Sequence, residues 1–183
     1  MQHQLVQRAR NGDHDAFSAL VEPEFGRLYG LAGLILGTPT GAEDAVQEAL
    51  LKAWRDLPAL RDADRFQAWL RRLVINACHD EGRRLGRRRG EVALAPEHQP
   101  AIGDGLDGIV QRDELAHAFG RLSNEERTVI ALRYYLDLSS AEAARALGLR
   151  EVTYRSRLHR AIRSLGSAMV AADRSTDLRG RWA

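Results

Sequence analysis

The stretch from Leu138 to Leu165 constrains the fold of this chain more than any other, because it predicts two short helices joined by a tight turn. Ser139 is followed three residues later by Glu142, which is the spacing of a capping box at the start of a helix. Gly148 has no side chain to oppose the left-handed conformation that ends many helices. The pattern indicates a helix–turn–helix.

The second of these helices separates apolar side chains from basic ones. At about 100° of rotation per residue, one side carries Tyr154, Leu158, Ala161, Ile162 and Leu165. The other side carries Val152, Thr153, Ser156, Arg160 and Arg163, with Arg155, Arg157 and His159 at the edges. A buried face opposite a face for a polyanion is the layout of a recognition helix in the DNA major groove. From this stretch alone, a solvated arginine-rich helix is the alternative.

The distribution of charge points to more than one partner. The net charge is only +2, although the isoelectric point is about 9.0. Arginines cluster at 83–89 and again at 150–163, whereas acidic residues concentrate between residues 13 and 48. Basic patches attract nucleic acid, and an acidic surface suits a basic partner. We therefore expect nucleic acid at two places and a different partner at a third.

Other classes of protein find little support in the sequence. No apolar run approaches the roughly 20 residues of a membrane span, and the N-terminus lacks the apolar segment of a secretory signal. Cys78 is the single cysteine, so it forms no internal disulfide and cannot alone build a zinc site. Nor do we find clustered carboxylates, a phosphate-binding glycine loop or a nucleophile–base pair. We expect a cytoplasmic protein that is not an enzyme, with no metal, no cofactor and no membrane insertion.

Helical periodicity dominates, and no segment alternates convincingly as a strand, so we predict an all-α fold of two small helical domains. The first domain covers residues 1–88, with helices at 2–10, 13–36, 40–55 and 65–87. Thr40 with Glu43, and Asp64 with Gln67, are the predicted starts of the last two of these helices. Pro23 is tolerable only early in a helix or at a kink.

The second predicted domain covers residues 107–166 and contains the helix–turn–helix. A flexible linker at 89–106, marked by Pro96, Pro100 and several glycines, precedes it. Ser123 and Glu126 predict a further capping box within this domain. The periodic pattern is lost after Leu165, so residues 167–183 are predicted to be a mobile tail.

Five segments, in matching order and spacing, resemble the small two-domain sigma factors of bacterial RNA polymerase, the extracytoplasmic-function (ECF) group. They are DAFSALV at 15–21, AEDAVQEALLKAW at 42–54, FQAWLRRLVINACHDEGRR at 66–84, LSNEERTVIALRYY at 122–135 and SRLHRAIRSL at 156–165. The resemblance covers about residues 10–166. It implies a protein that binds core RNA polymerase, directs it to specific promoters and helps to open the DNA.

The resemblance assigns the first domain to the polymerase clamp and to the downstream (−10) promoter element. Asp44, Gln47 and Glu48 match the stretch with which the family docks on the clamp. The candidates for the −10 element and its melted non-template strand are Arg61, Asp62, Asn76, Asp80, Arg83 and Arg84. Asn76 could instead cap a neighbouring backbone group. Trp69 lies on an apolar stripe, so core packing is favoured over base stacking.

The second domain would read the upstream (−35) element in double-stranded promoter DNA. Thr153, Arg155, Ser156 and Arg160 are the candidate readers, and Arg157 and Arg163 the candidate phosphate contacts. Arginine can donate twice to a guanine edge, which is worth roughly 1–3 kcal/mol of discrimination. The chain departs from the family's usual pattern at Arg150-Glu151-Val152 and at Tyr154, a position that is typically valine in the family. Its promoter preference is therefore expected to differ.

Two other interpretations compete with a sigma factor. A stand-alone helix–turn–helix regulator would normally dimerise on paired half-sites, and it would leave the patterns at 44–48 and 66–84 unexplained. A nuclease would need catalytic groups that the sequence does not present. The family usually has an inhibitory anti-sigma factor, which is a further partner that the resemblance suggests.

Overall fold

The computed structural model of the chain describes the backbone of residues 2–91 and 114–180 and the side chains of residues 2–87 and 114–171. Every regular element in these ranges is a helix, so the predicted all-α fold is confirmed. The helices are α1 (Gln2–Arg10), α2 (His14–Leu36), α3 (Pro39–Asp56), α4 (Phe66–Glu91), α5 (114–120), α6 (Asn124–Tyr134), α7 (Ser140–Leu147) and α8 (Glu151–Gly180). Two 3₁₀ turns, Leu57–Ala59 and Ala63–Arg65, connect α3 to α4.

Local sequence signals account for both ends of α2. The Asp13 side chain accepts a hydrogen bond from the Ala16 amide at 3.0 Å, which caps the helix and holds the pKa of that carboxyl below its ordinary value. Gly37 ends the helix at φ 72°, in the left-handed region. Between them the helix continues through the exposed Pro23.

Two predicted capping residues, Thr40 and Asp64, are wrong, although α3 and α4 begin close to the predicted positions. The N-cap position of α3 is Thr38 rather than Thr40, because Pro39 sits in the first turn with its φ already fixed for a helix. Before α4, the side chain that caps a turn is Asp62, which accepts from the Asp64 amide at 3.0 Å. Asp64 itself lies inside the resulting 3₁₀ turn, and α4 begins at Phe66.

The first four helices bury the apolar stripes that the periodicity predicted. On α4, the buried side chains are Phe66, Leu70, Leu73, Val74, Ala77 and Cys78, and Ile75 joins them. Leu28, Leu31 and Ile35 of α2 and Val46 of α3 face the same core. Glu81 is the charged exception, and it pairs with Arg84 at the core's edge, 3.5 Å away. This packing leaves the polar face of α4 available for other contacts.

Both capping boxes predicted in the second half of the chain are confirmed. Ser123 and Glu126 open α6, and Ser139 and Glu142 open α7, each pair bonding reciprocally. Gly148 ends α7 at φ 66°, as the turn requires. The helix–turn–helix is thus formed by α7 and the beginning of α8.

The last helix differs from the prediction in length. It runs to Gly180, well past the point where the apolar periodicity ends, although mobility of the tail stays a prediction. Of the predicted buried face, Tyr154 and Ala161 are buried and Leu158 and Leu165 are half-buried. Ile162 is 41% exposed, so its predicted burial is wrong.

The two halves of the described chain share one buried cluster. α6 packs against α2 and α4, and α7 contacts α4. The predicted linker, residues 89–106, lies outside the described residues except where α4 continues to Glu91. No helix in the described ranges combines the length and apolar character needed to cross a membrane.

Candidate nucleic-acid interface

The start of α8, which is the predicted recognition helix, is held against α6 by one buried tyrosine. Tyr154 is fully buried, and its hydroxyl donates to the Val129 carbonyl of α6 at 2.9 Å. Burial raises the pKa of this phenol to about 12, so it stays protonated and keeps donating. Tyr154, at a position where the family usually has valine, therefore anchors α8 to α6. The opposite face of α8 is directed to solvent.

The structure places all six upstream candidates on the first turns of α8. Arg155, Ser156, Arg160 and Arg163 are exposed, and Thr153 and Arg157 are partly exposed. Val152 is 78% exposed at the very start of the helix, where an apolar group has no partner within the described chain. A row of cationic and hydroxyl groups at a helix start suits the edge of a DNA duplex.

Two of these arginines already face carboxylates. Arg155 pairs with Glu151 one turn earlier at 2.9 Å, and Arg157 lies 3.8 Å from Glu125 of α6. Arg160 lies near Glu126: burial opposes ionisation of that carboxyl, but hydrogen bonds from Ser164 and Ser123 and the charge of Arg160 hold its pKa below the ordinary value. These acids neutralise part of the basic surface and orient its arginines.

The downstream candidates do not form one cluster. Arg61 and Asp62 are exposed between the two 3₁₀ turns, where Asp62 also accepts from Arg65 at 3.0 Å. Asn76 lies ten residues along α4 from its start at Phe66, which is about 15 Å of helix. The predicted set therefore divides into a turn and a helical face.

On the helical face, three of the four candidates are ion-paired. Asp80 pairs with Arg83, and Arg84 lies 3.2 Å from Glu48 of α3. Asn76 is exposed, with no hydrogen bond from its side chain among those of the described residues. Arg83 and Arg84 keep more than half of their side-chain surface in solvent. Asn76 therefore retains its full hydrogen-bonding capacity toward a ligand.

The acidic surface on α3 is an exposed stripe. Asp44, Gln47 and Glu48 are all exposed, with Glu43 accepting from Gln47 at 3.4 Å. Leu51, one turn further along, is 73% exposed, an apolar group that sequence reasoning did not single out. Exposed acids beside one bare leucine are suited to a protein partner rather than to DNA.

Trp54 and Trp69 belong to the packing of the first four helices. Trp69 is partly buried against the core beside Phe66, with ring centroids 6.1 Å apart, in accord with the core-packing interpretation. Trp54 stacks on the imidazole of His14 with centroids 4.2 Å apart. Both rings are thus engaged in aromatic packing contacts within the first four helices.

Sequence reasoning missed Arg127, which is only 5% exposed. Arg127 lies in the segment LSNEERTVIAL at 122–132. From the sequence alone, a charged residue in such a helix is expected to be exposed to solvent. His79 was placed correctly on the polar side of α4, but it is half-buried and bonds to Thr128 at 3.1 Å. Both residues connect the two halves of the chain, for which a sequence pattern gives no signal.

The described side chains offer no site for a metal ion or a catalytic thiol. Among them, no group of three or more His, Cys, Asp or Glu residues is placed to hold a metal. Burial raises the pKa of the Cys78 thiol to about 12, which keeps it in the unreactive protonated form.

Comparison with known proteins finds a separate family model for each half of the chain. The family model for sigma-70 region 2 matches residues 20–88, and the model for sigma-70 region 4 matches residues 112–165. The ECF RNA polymerase sigma factor SigL of Mycobacterium tuberculosis is 36% identical over 80% of this chain and 85% of its own length. This chain belongs to the ECF sigma factor family.

Other members and solved structures agree with this assignment. SigM of M. tuberculosis is 33% identical to the sigma factor described here, over 82% of this chain and 75% of its own. The structure of RpoE in complex with the anti-sigma factor NepR from Bartonella quintana matches with a TM-score of 0.68 and 25% identity, over 84% of this chain and 96% of that one. CnrH in complex with the cytosolic domain of CnrY matches with a TM-score of 0.65 and 29% identity, over 92% and 96%.

Proposed function

We infer that this sigma factor binds core RNA polymerase through the acidic stripe of α3, reads the −35 element with the start of α8 and opens the −10 element with α4. The observation that carries this proposal is the division of charge over one chain. An acidic stripe with an exposed leucine lies on α3, while arginine-rich faces lie on α4 and α8. We propose residues 1–88 and 107–166 as the units that carry these tasks.

On α3, the proposed polymerase contacts are Asp44, Gln47 and Glu48. Their exposure supports the proposal, because carboxylates that steer a basic partner must be accessible before binding. Leu51 adds apolar area at the end of the same stripe. A buried apolar contact ringed by charge is the usual anatomy of a specific protein interface.

On α8, we propose Thr153, Arg155, Ser156 and Arg160 as readers and Arg157 and Arg163 as phosphate contacts. The pair between Arg155 and Glu151 supports a reading role, since a carboxylate one turn away holds the guanidinium in a set direction. We propose that the exposed Val152 touches a thymine methyl group. Glu151 would repel a phosphate that approached the helix start.

On the first domain, Arg61 and Asp62 in the turn and Asn76, Asp80, Arg83 and Arg84 on α4 are proposed to hold the opened strand. Extruding a base costs a few kcal/mol of stacking, which contacts to its edge and phosphates can offset. Because the turn and the helical face are separate, we propose that they contact different nucleotides of the same strand.

This proposal makes the chain a cytoplasmic partner of polymerase, with no cofactor and no catalysis of its own. A stand-alone helix–turn–helix regulator is not favoured, because both family models match in one chain. An anti-sigma factor is proposed as a further partner, on the strength of the complexes in which the two structural relatives were solved.

The proposed polymerase surface is tested by reversing its charge. Asp44→Arg should weaken affinity for core polymerase at least tenfold, as measured by titration of labelled protein. Asp15→Arg is the matched control, since Asp15 is likewise an exposed acid, on α2, and the change should leave the affinity within twofold. Equal effects of the two changes would show that only net charge matters and would remove the α3 stripe from the proposal.

A further inference from the structure

The start of α8 carries one carboxylate among its basic groups. Glu151 is the first residue of the helix, and its Oε1 lies 2.9 Å from Nη2 of Arg155, one turn later. An acidic residue in the first turn of a helix interacts favourably with the helix dipole, which accounts for a glutamate here in terms of stability alone. Its contact with a proposed base reader points to a second role.

The two side chains of this pair are presented on one side of α8. Tyr154 is fully buried and bonded to the Val129 carbonyl, which fixes the rotation of the first turns. At about 100° per residue, Glu151 lies about 60° from Tyr154 around the helix axis, and Arg155 lies about 100° away in the same direction. The Arg155 side chain is 68% exposed and the Glu151 side chain 42%. The pair is therefore one accessible unit.

This unit places a hydrogen-bond acceptor beside several donors. A guanidinium has five N–H donors, so the contact through Nη2 leaves others of Arg155 available to a base. A carboxylate only accepts. The second carboxylate oxygen of Glu151, Oε2, is engaged by no other side chain among the described residues. Both members of the pair thus keep hydrogen-bonding capacity toward a ligand.

A G·C base pair presents the complementary groups in the major groove. Guanine offers the acceptors N7 and O6, and cytosine offers the N4 amino donor, whereas thymine has the acceptor O4 at the matching place. A carboxylate therefore attracts cytosine and repels thymine. Glu151 and Arg155 are separated by about 6 Å along α8, which is less than two base-pair steps of about 3.4 Å. They can reach the same base pair or neighbouring ones.

The charge of Glu151 is compatible with DNA only because of its surroundings. A lone carboxylate at the helix start would be repelled by phosphates. Arg155 lies against it at 2.9 Å, and Arg150 and Arg160 are exposed on the same stretch of chain. These arginines offset the repulsion. The carboxylate can then contribute to specificity, since a group that repels the wrong base discriminates as well as one that attracts the right base.

We propose that Glu151 is a specificity-determining residue of the upstream site: paired with Arg155, its carboxylate accepts from the N4 amino group of a cytosine in the −35 element and rejects thymine there. This inference rests on the proposed function, in which the start of α8 enters the major groove of that element. It gives Glu151 a base contact of its own, in addition to orienting Arg155.

The test is transcription by the full-length protein with core polymerase, from promoters that carry every base at each −35 position. At one position, on either strand, the wild-type protein should prefer cytosine to thymine by about tenfold or more. Glu151→Gln should reduce this preference to about twofold or less, because a glutamine amide can accept from cytosine or donate to thymine. Arg155→Ala should lower a preference for guanine on the same or a neighbouring base pair.

Asp137→Asn is the matched control. It removes one negative charge from the same half of the chain, at a side chain that is 92% exposed. Asparagine tolerates the positive φ of 52° at this position, so the turn is preserved. This variant should leave every base preference unchanged. Thermal unfolding of each variant reports any loss of helix stability separately.

The possible results are distinguishable. If Glu151→Gln changed transcription from all −35 variants by one common factor, or lowered only the unfolding temperature, the carboxylate would act through charge or helix stability, and the inference would be overturned. A cytosine preference that survived Glu151→Gln would also remove Glu151 as a reader, while leaving the proposed function intact. A wild-type protein without any base preference in the −35 element would instead contradict the proposed upstream reading itself.

Discussion

Arg84 on α4 lies 3.2 Å from Glu48 on α3, so a residue proposed to meet DNA is paired with one proposed to meet polymerase. Both side chains are about half exposed, so solvent screens the pair and its contribution to stability should be no more than about 1 kcal/mol. The pair therefore holds the two helices together only weakly. In the proposed function, engagement of Glu48 by polymerase would free Arg84 from this pair at little cost, and its pair with Glu81 at 3.5 Å would remain.

A double-mutant cycle measures this coupling. Glu48→Gln and Arg84→Gln, singly and together, should show an interaction free energy of about 0.2–1 kcal/mol in chemical denaturation. An interaction free energy well above that range would mean that the pair stabilises the packing of α3 on α4 and is not easily broken. Additive effects would show that no interaction exists in solution.

The basic face of α8 should divide into base readers and phosphate contacts. Arg160→Ala should weaken binding to the preferred −35 sequence by about 1–3 kcal/mol, with a smaller loss on random DNA. Arg163→Ala, the comparison on the same helix, should weaken both DNAs alike and lower the salt dependence by about one unit of slope. If Arg160→Ala also weakened the two DNAs equally, Arg160 would be a phosphate contact.

The anchor between α8 and α6 should be visible as stability. Tyr154→Phe removes the hydrogen bond to the Val129 carbonyl without creating a large cavity, and it should cost about 0.5–1.5 kcal/mol of unfolding free energy. Tyr134→Phe, at a tyrosine 66% exposed on α6, should change stability by less than about 0.5 kcal/mol. Indistinguishable denaturation midpoints for the two variants would contradict the anchoring role.

The contact between α4 and α6 should weaken in acid because of His79, which bonds to Thr128. Burial lowers the pKa of this imidazole; nearby Glu125 and Asp80 act in the opposite direction, and Arg83 reinforces the lowering. Below about pH 6.5 the unfolded chain thus binds more protons than the folded one. The stability that neutral His79 contributes is complete above that pH. It is lost as the pH falls through the lowered pKa that His79 has in the folded protein.

His79→Gln tests the assignment, because glutamine can still donate to Thr128 but does not titrate. Between pH 7.5 and 5.5 the unfolding free energy of the wild-type protein should fall more steeply than that of the variant, measured by denaturant titration. Since every other titrating group is common to both proteins, parallel curves would show that His79 does not control this pH dependence.

Local signals made much of this fold predictable. The two capping boxes, the glycine at the helix–turn–helix and the buried stripe of α4 each depend on residues within a few positions of one another. The errors at Thr40 and Asp64 arose because another polar residue two positions earlier, Thr38 or Asp62, could also cap, and a neighbouring proline or turn decided between the two. Ile162 was wrongly predicted to be buried. The angle around a helix shows which side a residue lies on, but not whether a neighbouring element covers that side.

The contacts between the two halves could not be predicted from the sequence. Arg127 caps an α2 carbonyl contributed by Ile35, far away in the chain, and no spacing rule connects them. The pattern that suggested two domains and a linker also gave no reason to expect a shared core. The candidate binding residues were easier to place, since exposed arginines and carboxylates follow from helical periodicity alone.

The most direct test of the account is transcription from a library of genomic promoters with purified protein and core polymerase. The account predicts transcripts from a defined subset of promoters only when both components are present, with starts downstream of a shared pair of sequence elements. Transcription that is unchanged by adding this protein, or silence across the whole library, would contradict it.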